Sequence, residues 1–365
     1  MNSKQIKVVS LFSGIGGFEA GIKKTSLNVD VVFASEIDSF AQKAYAANFT
    51  SSNLHGDITK IDEKKIPEHH LLLGGFPCQS FSIAGKRKGF EDTRGTLFFD
   101  VARILSAKKP KFVLLENVKN LINHDNSNTI KVILKTLNDI GYTVDFTVIN
   151  SQEAGVPQNR DRTYICAIYN YPAQKYVIDK RSAKANILKK ELNYSEFNGF
   201  NFFNKLKFNN KQYYIEDILE QEISDNFFLK SQSIQEFLAS QCFVEPLQNE
   251  AKILKFFDLP KNVYNDLERQ RRVYSIKGIS PTVLARSDST KILVNTKTGK
   301  SIRKITPTEN FYIQGFEKDF VENIKKADIS LTQMYKQSGN AVSPPVITGI
   351  IELLDKEFIN YDEIY

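Results

Sequence analysis

Residues 8–18 of this 365-residue chain read VVSLFSGIGGF, a short apolar run that leads into a glycine-rich turn. Glycines at this spacing let the backbone turn tightly and bring its amides close to a ligand at the start of the following helix. The turn departs from the dinucleotide pattern GxGxxG, because Glu19 stands where the third glycine would fall. The segment therefore predicts the first strand and helix of a ligand-binding α/β sheet.

Four more apolar runs that end in small or polar residues follow within the first 170 residues. The runs span 31–35, 71–75, 112–116 and 164–168, and helical patterns lie between several of them, at 39–48, 97–107 and 129–140. Short buried strands separated by helices indicate a parallel sheet that is covered by helices on both faces. Ligands of such sheets bind just beyond the carboxyl ends of the strands, so we expect the functional residues there.

The overall composition is that of a folded protein. Hydrophobic residues make up 41% and charged residues 25% of the chain, which is ordinary globular composition and argues against disorder. The N-terminal residues 1–7 lack an apolar signal core, and nowhere do 18 apolar residues run together. We therefore expect a cytoplasmic protein with no membrane segment.

Positive charge is concentrated in one part of the chain. The formal net charge is +7, yet residues 269–304 contain ten basic residues and a single acidic one, so the rest of the chain sums to −2. A local cationic surface is typical of a protein that binds a polyanion, although a solvated face without a partner has the same composition.

One of the three cysteines stands in a position suited to chemistry. Cys78, Cys166 and Cys242 lie far apart with no CxxC pair, so they supply neither a disulfide framework nor a zinc site, and we expect no metal. Cys78 follows an apolar strand directly in residues 74–82, GGFPCQSFS, and precedes a long polar loop. A nucleophile needs exposure at a strand end, whereas a structural cysteine more often lies inside the apolar run.

Three acidic residues are candidates for functional groups at strand ends. Glu36 stands about twenty residues beyond the glycine turn, where it is placed to accept hydrogen bonds from ribose hydroxyls. Asp57 could read an adenine amino group or simply cap the next helix. Glu116 ends the apolar strand within LLENV at residues 114–118.

Two arginines precede the strand predicted at 164–168. Arg160 and Arg162 stand two residues apart in PQNRDR, and side chains at this spacing on an extended segment point to the same side. That geometry suits an oxygen-rich ligand, but salt-bridged surface arginines are the commoner arrangement.

The motifs FSGIGG, PCQSFS, ENV, QNRDR and QSGNAV, in this order, resemble those of the bacterial restriction-modification DNA (cytosine-5) methyltransferases. The resemblance covers residues 1–170 and 269–350. It implies an α/β, Rossmann-like sheet of the S-adenosylmethionine-dependent methyltransferases, with a second, smaller and irregular target-recognition domain. The catalytic and cofactor-binding domain would comprise residues 1–170 and 305–365, and the DNA-binding recognition domain would comprise residues 171–304.

The same resemblance implies the reaction and the catalytic residues. A methyl group would pass from S-adenosylmethionine to carbon 5 of a cytosine that is flipped out of double-stranded DNA. Cys78 would attack carbon 6, and Glu116 would hydrogen-bond and protonate nitrogen 3. Arg162 would hold the carbonyl oxygen of the cytosine, with Arg160 supporting the site.

The implied cofactor contacts are spread over several strand ends. They are Phe12, Gly14, Ile15, Gly16, Gly17, Glu36, Ile37, Asp57, Pro77, Leu97 and Asn340. An aromatic residue often follows the ribose-binding acid in the family, whereas this chain has Ile37 there and no tryptophan at all, so we expect weaker stacking on the cofactor.

The implied DNA contacts come from two segments. They are Ser82, Lys86 and Arg87 in the loop beyond the PCQ motif, and Gln270, Arg271, Arg272 and Thr282 in the basic segment. Gln270 is a candidate to fill the gap left by the flipped base. We expect several of these cations to contact phosphates, which makes binding steeply salt-dependent. The final helical stretch should pack beside the first strand, and we expect a monomer with a restriction endonuclease as a possible partner.

Three other interpretations are weighed against this one. A cytosine-5 methyltransferase acting on transfer RNA shares the chemistry, but the long segment 171–300 favours DNA because a groove-reading domain is needed there. A non-catalytic DNA-binding relative is disfavoured by the presence of Cys78, Glu116 and both arginines. A nicotinamide-dependent oxidoreductase is disfavoured by the GxGG spacing and by the PCQ loop.

Overall fold

The computed structural model describes residues 5–77, 97–287, 290–297 and 299–359, which form two compact units. The first unit consists of the chain up to Ile149, of Asp161–Lys207 and of the segment from Ile347 onward, and the second consists of Asn150–Arg160 and Phe208–Val346. These boundaries differ from those of the functional domains expected above. The assignment of a catalytic and a recognition domain to parts of the chain stays a prediction.

The first unit is built on a sheet to which seven of the described strands contribute. They are β1 (Ile6–Leu11), β2 (Val29–Ser35), β3 (Leu54–His55), β4 (Leu71–Gly74), β5 (Phe112–Val118), β6 (Tyr142–Asn150) and β7 (Asp161–Tyr169). The strand order is β3-β2-β1-β4-β5-β7-β6, and the pairs from β3 to β5 are parallel. The carboxyl ends of these parallel strands therefore share one edge of the sheet.

Helices follow most of the parallel strands. The α-helices along the described chain are α1 (Gly17–Ile22), α2 (Ser39–Ala46), α3 (Leu97–Lys108), α4 (Asn128–Ile140), α5 (Ala183–Leu192), α6 (Gln232–Ala239), α7 (Pro307–Ile313), α8 (Lys318–Lys326), α9 (Leu331–Asn340) and α10 (Pro344–Phe358). Local chemistry sets their starts: the Asp38 carboxylate, for example, accepts hydrogen bonds from the amides of Phe40 and Ala41 at the start of α2.

The sheet differs from the sequence prediction at one edge. The prediction of an all-parallel sheet is wrong for β7, because β7 runs antiparallel to β5 with Leu114 opposite Cys166. The strand β6 was also not predicted, although all its residues except Asn150 are buried. Polar residues such as Asp145 and Thr147 interrupt its apolar pattern. The sequence therefore lacks the continuous apolar run by which a strand covered on both faces is recognised.

From Ile347 onward, the C-terminal helix α10 belongs to the first unit and contacts α1, while its packing beside the first strand stays a prediction. The hydroxyl of Thr348 in α10 donates to the carbonyl of Gly21 in α1 at 2.8 Å. At its other end, Phe358 packs on the rings of Phe200 and Phe202, with centroid separations of 5.8 and 5.2 Å. The first unit is thus discontinuous in sequence.

The second unit contains a smaller sheet. Its strands are β8 (Lys255–Asp258), β9 (Arg272–Ser275), β10 (Lys291–Thr296) and β11 (Gly299–Lys304), in the order β11-β10-β9-β8. Only the β9–β10 pairing is parallel among them. Buried Val273, Leu293 and Ile302 form its core together with Ile234 of α6 and Leu259.

A buried ion pair ties this sheet to the following helix. The Arg303 guanidinium donates to both oxygens of Glu309 at 2.7 Å, and both side chains are almost fully buried. Glu309 also accepts the amide of Thr306, whose hydroxyl caps α7 in return. The pair is bidentate and hydrogen-bonded, which is the geometry that offsets the cost of burying charge.

Within the described part of the chain, no helix is long and apolar enough to cross a membrane.

A second buried ion pair fastens residues beyond β7 to the first sheet. The Lys189 ammonium of α5 lies 2.7 Å from the Asp145 carboxylate of β6, with exposed side-chain fractions of 2% and 1%. Asp145 also accepts the backbone amides of Phe202 and Phe203. Asp145 therefore holds both the helix and the segment that follows it.

We predict that Lys189→Met lowers the free energy of unfolding by about 3–5 kcal/mol, because it leaves the Asp145 carboxylate buried without its cation. The neighbouring Lys190 is exposed, so Lys190→Met is the matched control and should cost less than about 0.5 kcal/mol. Urea unfolding followed by circular dichroism measures both values. Equal costs for the two variants would contradict the role of this ion pair.

Candidate functional site

The Glu36 carboxylate organises the glycine-rich turn after β1. One oxygen accepts the amide of Gly14 at 2.9 Å, and the other accepts the amide of Asp38 at 2.8 Å. The amide of Ser13 also donates to the carbonyl of Ser35, at 2.9 Å. The ends of β1 and β2 are thus joined into one rigid edge, and each Glu36 oxygen keeps a lone pair for a ligand hydroxyl.

The backbone of this turn has positive φ angles at three positions, at Phe12 (55°), Gly14 (56°) and Gly16 (89°). There is no space for a side chain at Gly16, because a Cβ there would collide with the ring of Phe49. A positive φ is costly for an aromatic residue such as Phe12, and such strain persists only where surrounding contacts impose it. The strained turn lies where the sequence predicted the cofactor.

The remaining predicted cofactor residues have mixed surroundings. Ile15 is buried, Gly17 begins α1, and Leu97 begins α3 with a partly buried side chain. The side chain of Ile37 is 71% exposed beside Glu36, so it presents an apolar surface to solvent. Pro77 is exposed at the end of a described segment.

Two further predicted cofactor residues stand at the ends of helical segments. Asp57 caps a short 3₁₀ turn, where its carboxylate accepts the amide and the hydroxyl of Thr59 at 3.0 and 2.7 Å. The hydrogen bond from the Thr59 hydroxyl holds the pKa of Asp57 below its usual range. The capping role that the sequence left open is therefore observed. Asn340 is exposed at the end of α9, in the second unit.

The antiparallel pairing of β5 and β7 brings Glu116 and Arg162 together. Glu116 stands opposite Tyr164 and Val118 stands opposite Arg162, so the two charged residues are diagonal neighbours on one face. The Arg162 Nε lies 3.1 Å from a Glu116 oxygen, with exposed side-chain fractions of 16% and 11%. The pair is partly shielded from solvent and still accessible.

The segment before Cys78 lies against this pair. A Cβ at Gly75 would lie 3.7 Å from the second oxygen of Glu116. The side-chain amide of Asn117 donates to the carbonyl of Phe76 at 2.8 Å, and both residues are buried. The ENV motif therefore holds the backbone that leads into PCQ.

Four of the predicted residues, Cys78, Ser82, Lys86 and Arg87, lie outside the described residues. Of the other cysteines, Cys166 is buried in β7 and burial raises the pKa of its thiol well above the usual range, which disfavours the thiolate. Cys242 is exposed in the second unit.

The two arginines of QNRDR have different partners. The buried guanidinium of Arg160 donates to the carbonyls of Gly339 and Ala341 at 2.9 Å and to the carbonyl of Val283 at 3.3 Å. Arg160 thereby joins segments of the second unit, whereas Arg162 pairs with Glu116 in the first. These contacts do not support the expectation that both arginine side chains point at one ligand from the same side. The Arg160 guanidinium is instead hydrogen-bonded to backbone carbonyls.

A cationic pocket lies in the second unit, within the basic segment. Its lining residues are Arg269, Gln270, Arg272, Tyr274, Pro281, Thr282, Val283, Leu284, Arg286, Thr290, Lys291 and Asn310. Four of these carry positive charge, and none of the described residues that line it is acidic. Hydroxyl and amide donors complete a lining suited to an anion.

The structure separates the DNA contacts predicted in this segment. Gln270 is largely buried and lines the pocket, and so does Thr282, whose hydroxyl donates to the carbonyl of Asn159 at 2.6 Å. Arg272 lines the pocket but is paired with Glu268 at 2.7 Å. Arg271 does not line it, and its guanidinium donates to the carbonyl of Leu259 at 2.6 Å.

Three cations of this pocket are additional to the predicted DNA contacts, namely Arg269, Arg286 and Lys291. Arg269 is exposed, and Lys291 is buried with its ammonium 4.8 Å from the centre of the Tyr264 ring. The high local charge of residues 269–304 was the available signal, but charge density alone does not show which side chains share a cavity.

The mixed α/β sheet of seven strands is the fold of the first unit, and the Glu116–Arg162 pair lies on its β5–β7 pairing. The profile of the family described as C-5 cytosine-specific DNA methylase matches residues 6–356, so the chain belongs to this family and is a DNA cytosine-5 methyltransferase.

Curated relatives match over most of their length. Type II methyltransferase M.SsoII of Shigella sonnei is 39% identical over 350 residues, covering 95% of this chain and 79% of that protein. Type II methyltransferase M.HhaI of Haemophilus parahaemolyticus is 33% identical over 342 residues, covering 92% of this chain and 90% of that protein.

Solved structures share the fold at lower identity. The Dnmt2 methyltransferase of S. pombe superposes with a TM-score of 0.67 at 19% identity, covering 97% of this chain and 100% of that chain. The Entamoeba histolytica methyltransferase EhMeth gives a TM-score of 0.67, also at 19% identity, covering 98% and 100%. These likenesses confirm the predicted fold class.

One buried acid lies close to the glycine-rich turn without a predicted role. Glu19 of α1 is 4% exposed, and the Tyr45 hydroxyl lies 3.4 Å from one of its oxygens. Burial raises the pKa of Glu19 to about 7. The folded protein therefore favours the neutral carboxyl group below that pH.

We predict that this acid makes stability pH-dependent. The pKa of Glu19 in the folded protein lies above its ordinary value of 4.5. The neutral carboxyl group therefore contributes its full stabilisation of the fold below pH 4.5, and this contribution is lost as the pH rises through 7. The loss is at most about 3 kcal/mol. Glu19→Gln cannot ionise and should remove this part of the pH dependence, whereas Glu196→Gln, at an exposed position, should leave it. Urea unfolding at pH 5 and pH 8 measures the difference, and parallel curves for Glu19→Gln and the unaltered protein would refute it.

Proposed function

We propose that the chain transfers a methyl group from S-adenosylmethionine to carbon 5 of a cytosine flipped out of a specific double-stranded DNA sequence, through a covalent adduct with Cys78. The observation that carries this proposal is the Glu116–Arg162 pair, held beside Gly75 just before Cys78 in the chain. Since its relatives M.SsoII and M.HhaI are named type II methyltransferases, we propose that it is the modification enzyme of a restriction-modification system.

In the proposed reaction, the Cys78 thiolate adds to carbon 6 while nitrogen 3 takes a proton from Glu116. This concentrates electron density at carbon 5, which a nucleophilic catalyst is needed to achieve. When bound, S-adenosylmethionine supplies the methyl group. A base then removes the proton of carbon 5, the carbon 5–carbon 6 double bond forms again, the thiolate leaves, and the proton of nitrogen 3 returns to Glu116.

Arg162 fits the role of holding the cytosine carbonyl oxygen. Its Nε is engaged by Glu116 and its Nη1 donates to the carbonyl of Asp161 at 2.8 Å, but a guanidinium has five N–H donors in a fixed planar array. Arg162 and, once protonated, Glu116 would thus present hydrogen-bond donors to one edge of the ring, which gives orientation as well as charge stabilisation. Arg160 would support the site at a distance, through the backbone carbonyls it holds.

The residues after β1 and β2 fit a nucleoside-containing cofactor. Both Glu36 oxygens already hold backbone amides, which orients the carboxylate so that its remaining lone pairs can accept two ribose hydroxyls. The exposed Ile37 offers an apolar surface to the adenine, in place of an aromatic ring. The second oxygen of Asp57 lies outside the capping hydrogen bonds, 3.6 Å from the Lys60 ammonium, and would accept the adenine amino group.

The cationic pocket of the second unit fits DNA phosphate. We propose that Arg269 and Arg286 contact phosphates there, with Gln270 and Thr282 at the lining of the same pocket. Arg272 contributes less because Glu268 neutralises it, and Arg271 acts on the fold through Leu259. Phosphate contacts position a protein on the duplex but do not read its sequence.

Trapping with 5-fluorocytosine tests the proposed reaction. The fluorine at carbon 5 cannot be eliminated, so incubation with S-adenosylmethionine and sequence-diverse duplexes carrying 5-fluorocytosine should leave the DNA attached to the enzyme. We predict an adduct that mass spectrometry maps to Cys78. Cys78→Ser should abolish the adduct, and the matched variant Cys242→Ser should retain it.

The alternatives leave different results in the same experiment. An adduct on fluorinated RNA but not on DNA would move the assignment to the RNA methyltransferases. An adduct on another residue would overturn the role of Cys78, and no adduct on either nucleic acid would overturn the covalent mechanism.

Salt dependence tests the proposed phosphate contacts. We predict that Arg269→Gln together with Arg286→Gln reduces the slope of log Kd against log salt concentration by about 2, because each lost phosphate contact releases about one counterion fewer. Arg271→Gln is the matched control in the same segment and should leave the slope unchanged. Fluorescence anisotropy with a labelled duplex at several salt concentrations measures the slopes. A slope that falls only in Arg271→Gln would reverse the assignment.

A further inference from the structure

Two buried glutamine side chains form a chain of hydrogen bonds in the second unit. The amide of Val283 donates to Oε1 of Gln158 at 2.9 Å, and Nε2 of Gln158 donates to Oε1 of Gln314 at 2.5 Å. Nε2 of Gln314 then donates to the carbonyls of Ser338 and Ala341 at 2.8 and 3.0 Å. Neither glutamine side chain is exposed to solvent.

All hydrogen bonds in this series run in one direction, from the Val283 amide to the carbonyls of Ser338 and Ala341. The Val283 amide can only donate, so Oε1 of Gln158 must face it and Nε2 must face Gln314. The carbonyls at the far end can only accept, so Gln314 is oriented in the same sense. Hydrogen bonds aligned in this way polarise one another, and a wrong group at either glutamine leaves a buried polar atom unsatisfied.

The segments at the two ends are in direct contact. A Cβ at Gly339 would collide with the backbone of Leu284 and Ala285, so the end of α9 fits against this segment only without a side chain. Arg160 bridges the same two segments in parallel, from Val283 to Gly339 and Ala341. Gln314 thus completes a buried polar seam between residues 283–285 and 338–341.

We propose that Gln314 is a positioning residue for DNA recognition, which acts through Gln158 to fix the backbone of residues 281–286. This rests on the proposed function, because Thr282 and Arg286 lie in that segment and line the cationic pocket. Gln314 itself does not line the pocket and touches no DNA in this scheme. Its effect is to hold the pocket-lining backbone in one register, so that DNA contacts are formed without an ordering cost.

Two substitutions separate this role from simple packing. Gln314→Glu places a carboxylate oxygen against the carbonyls of Ser338 and Ala341, which repel it. Burial among acceptors favours a protonated carboxyl group, which can donate to one of these carbonyls at lower pH. Gln314→Met fills a similar volume and has no donor at any pH.

The experiment measures KM for a cognate duplex and kcat at pH 8 and pH 6, relative to the unaltered enzyme at each pH. We expect both variants to raise KM about tenfold at pH 8 with kcat within about twofold, which corresponds to one or two lost buried hydrogen bonds. At pH 6, Gln314→Glu should recover most of the loss, and Gln314→Met should not. Gln235→Glu, on an exposed position of α6, is the control for added charge.

Hydrogen exchange provides a readout that does not depend on activity. Peptides covering residues 281–287 should exchange faster in both variants, while those of β1 should not change. If Gln314→Glu does not fold, Gln314→Met carries the test. Its expected result is a KM for the duplex that is raised by the same factor at pH 6 and pH 8. An unchanged KM with faster exchange or a lower Tm would show a structural role alone and overturn the proposal. So would a KM that rises equally at both pH values in Gln314→Glu. Failure of the unaltered enzyme to methylate any DNA would instead refute the proposed function, and a role in DNA recognition with it.

Discussion

The antiparallel pairing of β5 with β7 is the constraint on which the rest of the site depends. A parallel β7 would enter the sheet from the opposite end, and residues 158–162 would then lie at the wrong edge. The observed register sets Val118 opposite Arg162 and so places the Arg162 guanidinium beside Glu116. It also lets the ENV motif hold the backbone before PCQ, through Asn117 and Phe76.

Buried polar groups, rather than apolar packing alone, specify irregular segments within each unit. Asp145 with Lys189, Arg303 with Glu309, and Arg160 with its three carbonyls are each almost completely removed from water. Such groups add little net stability when satisfied but are costly when misplaced. They therefore select one arrangement of irregular segments, such as 155–160 and 341–343, that lack the repeated hydrogen bonds of a helix or sheet. The cost of an unsatisfied buried polar group likewise explains why glutamines, which both donate and accept hydrogen bonds, stand at the buried positions 158 and 314.

Much of the first unit could be predicted from local pattern. The runs at 31–35, 71–75 and 112–116 correspond to β2, β4 and β5 within a few residues, and the helical patterns at 39–48, 97–107 and 129–140 correspond to α2, α3 and α4. A parallel strand that is buried on both faces is a continuous run of apolar residues, so it can be recognised from a few consecutive residues of the sequence. The strand β6 was missed because buried Asp145 and Thr147 break its run. The partners of Asp145, which are the Lys189 ammonium and the amides of Phe202 and Phe203, lie far away in sequence, where no local pattern can show them.

The sequence by itself determined the family, the α/β class and the residue types at the strand ends, because glycine turns, capping acids and motif spacing are local properties. Only the tertiary structure decided which of those side chains meet. It joined Glu116 to Arg162, gave Arg160 to backbone carbonyls, turned Arg271 towards Leu259 and brought Arg269 and Arg286 to one pocket. Contacts between residues tens to hundreds of positions apart depend on strand register and loop path, and those follow from the packing of the whole unit rather than from any short stretch of sequence.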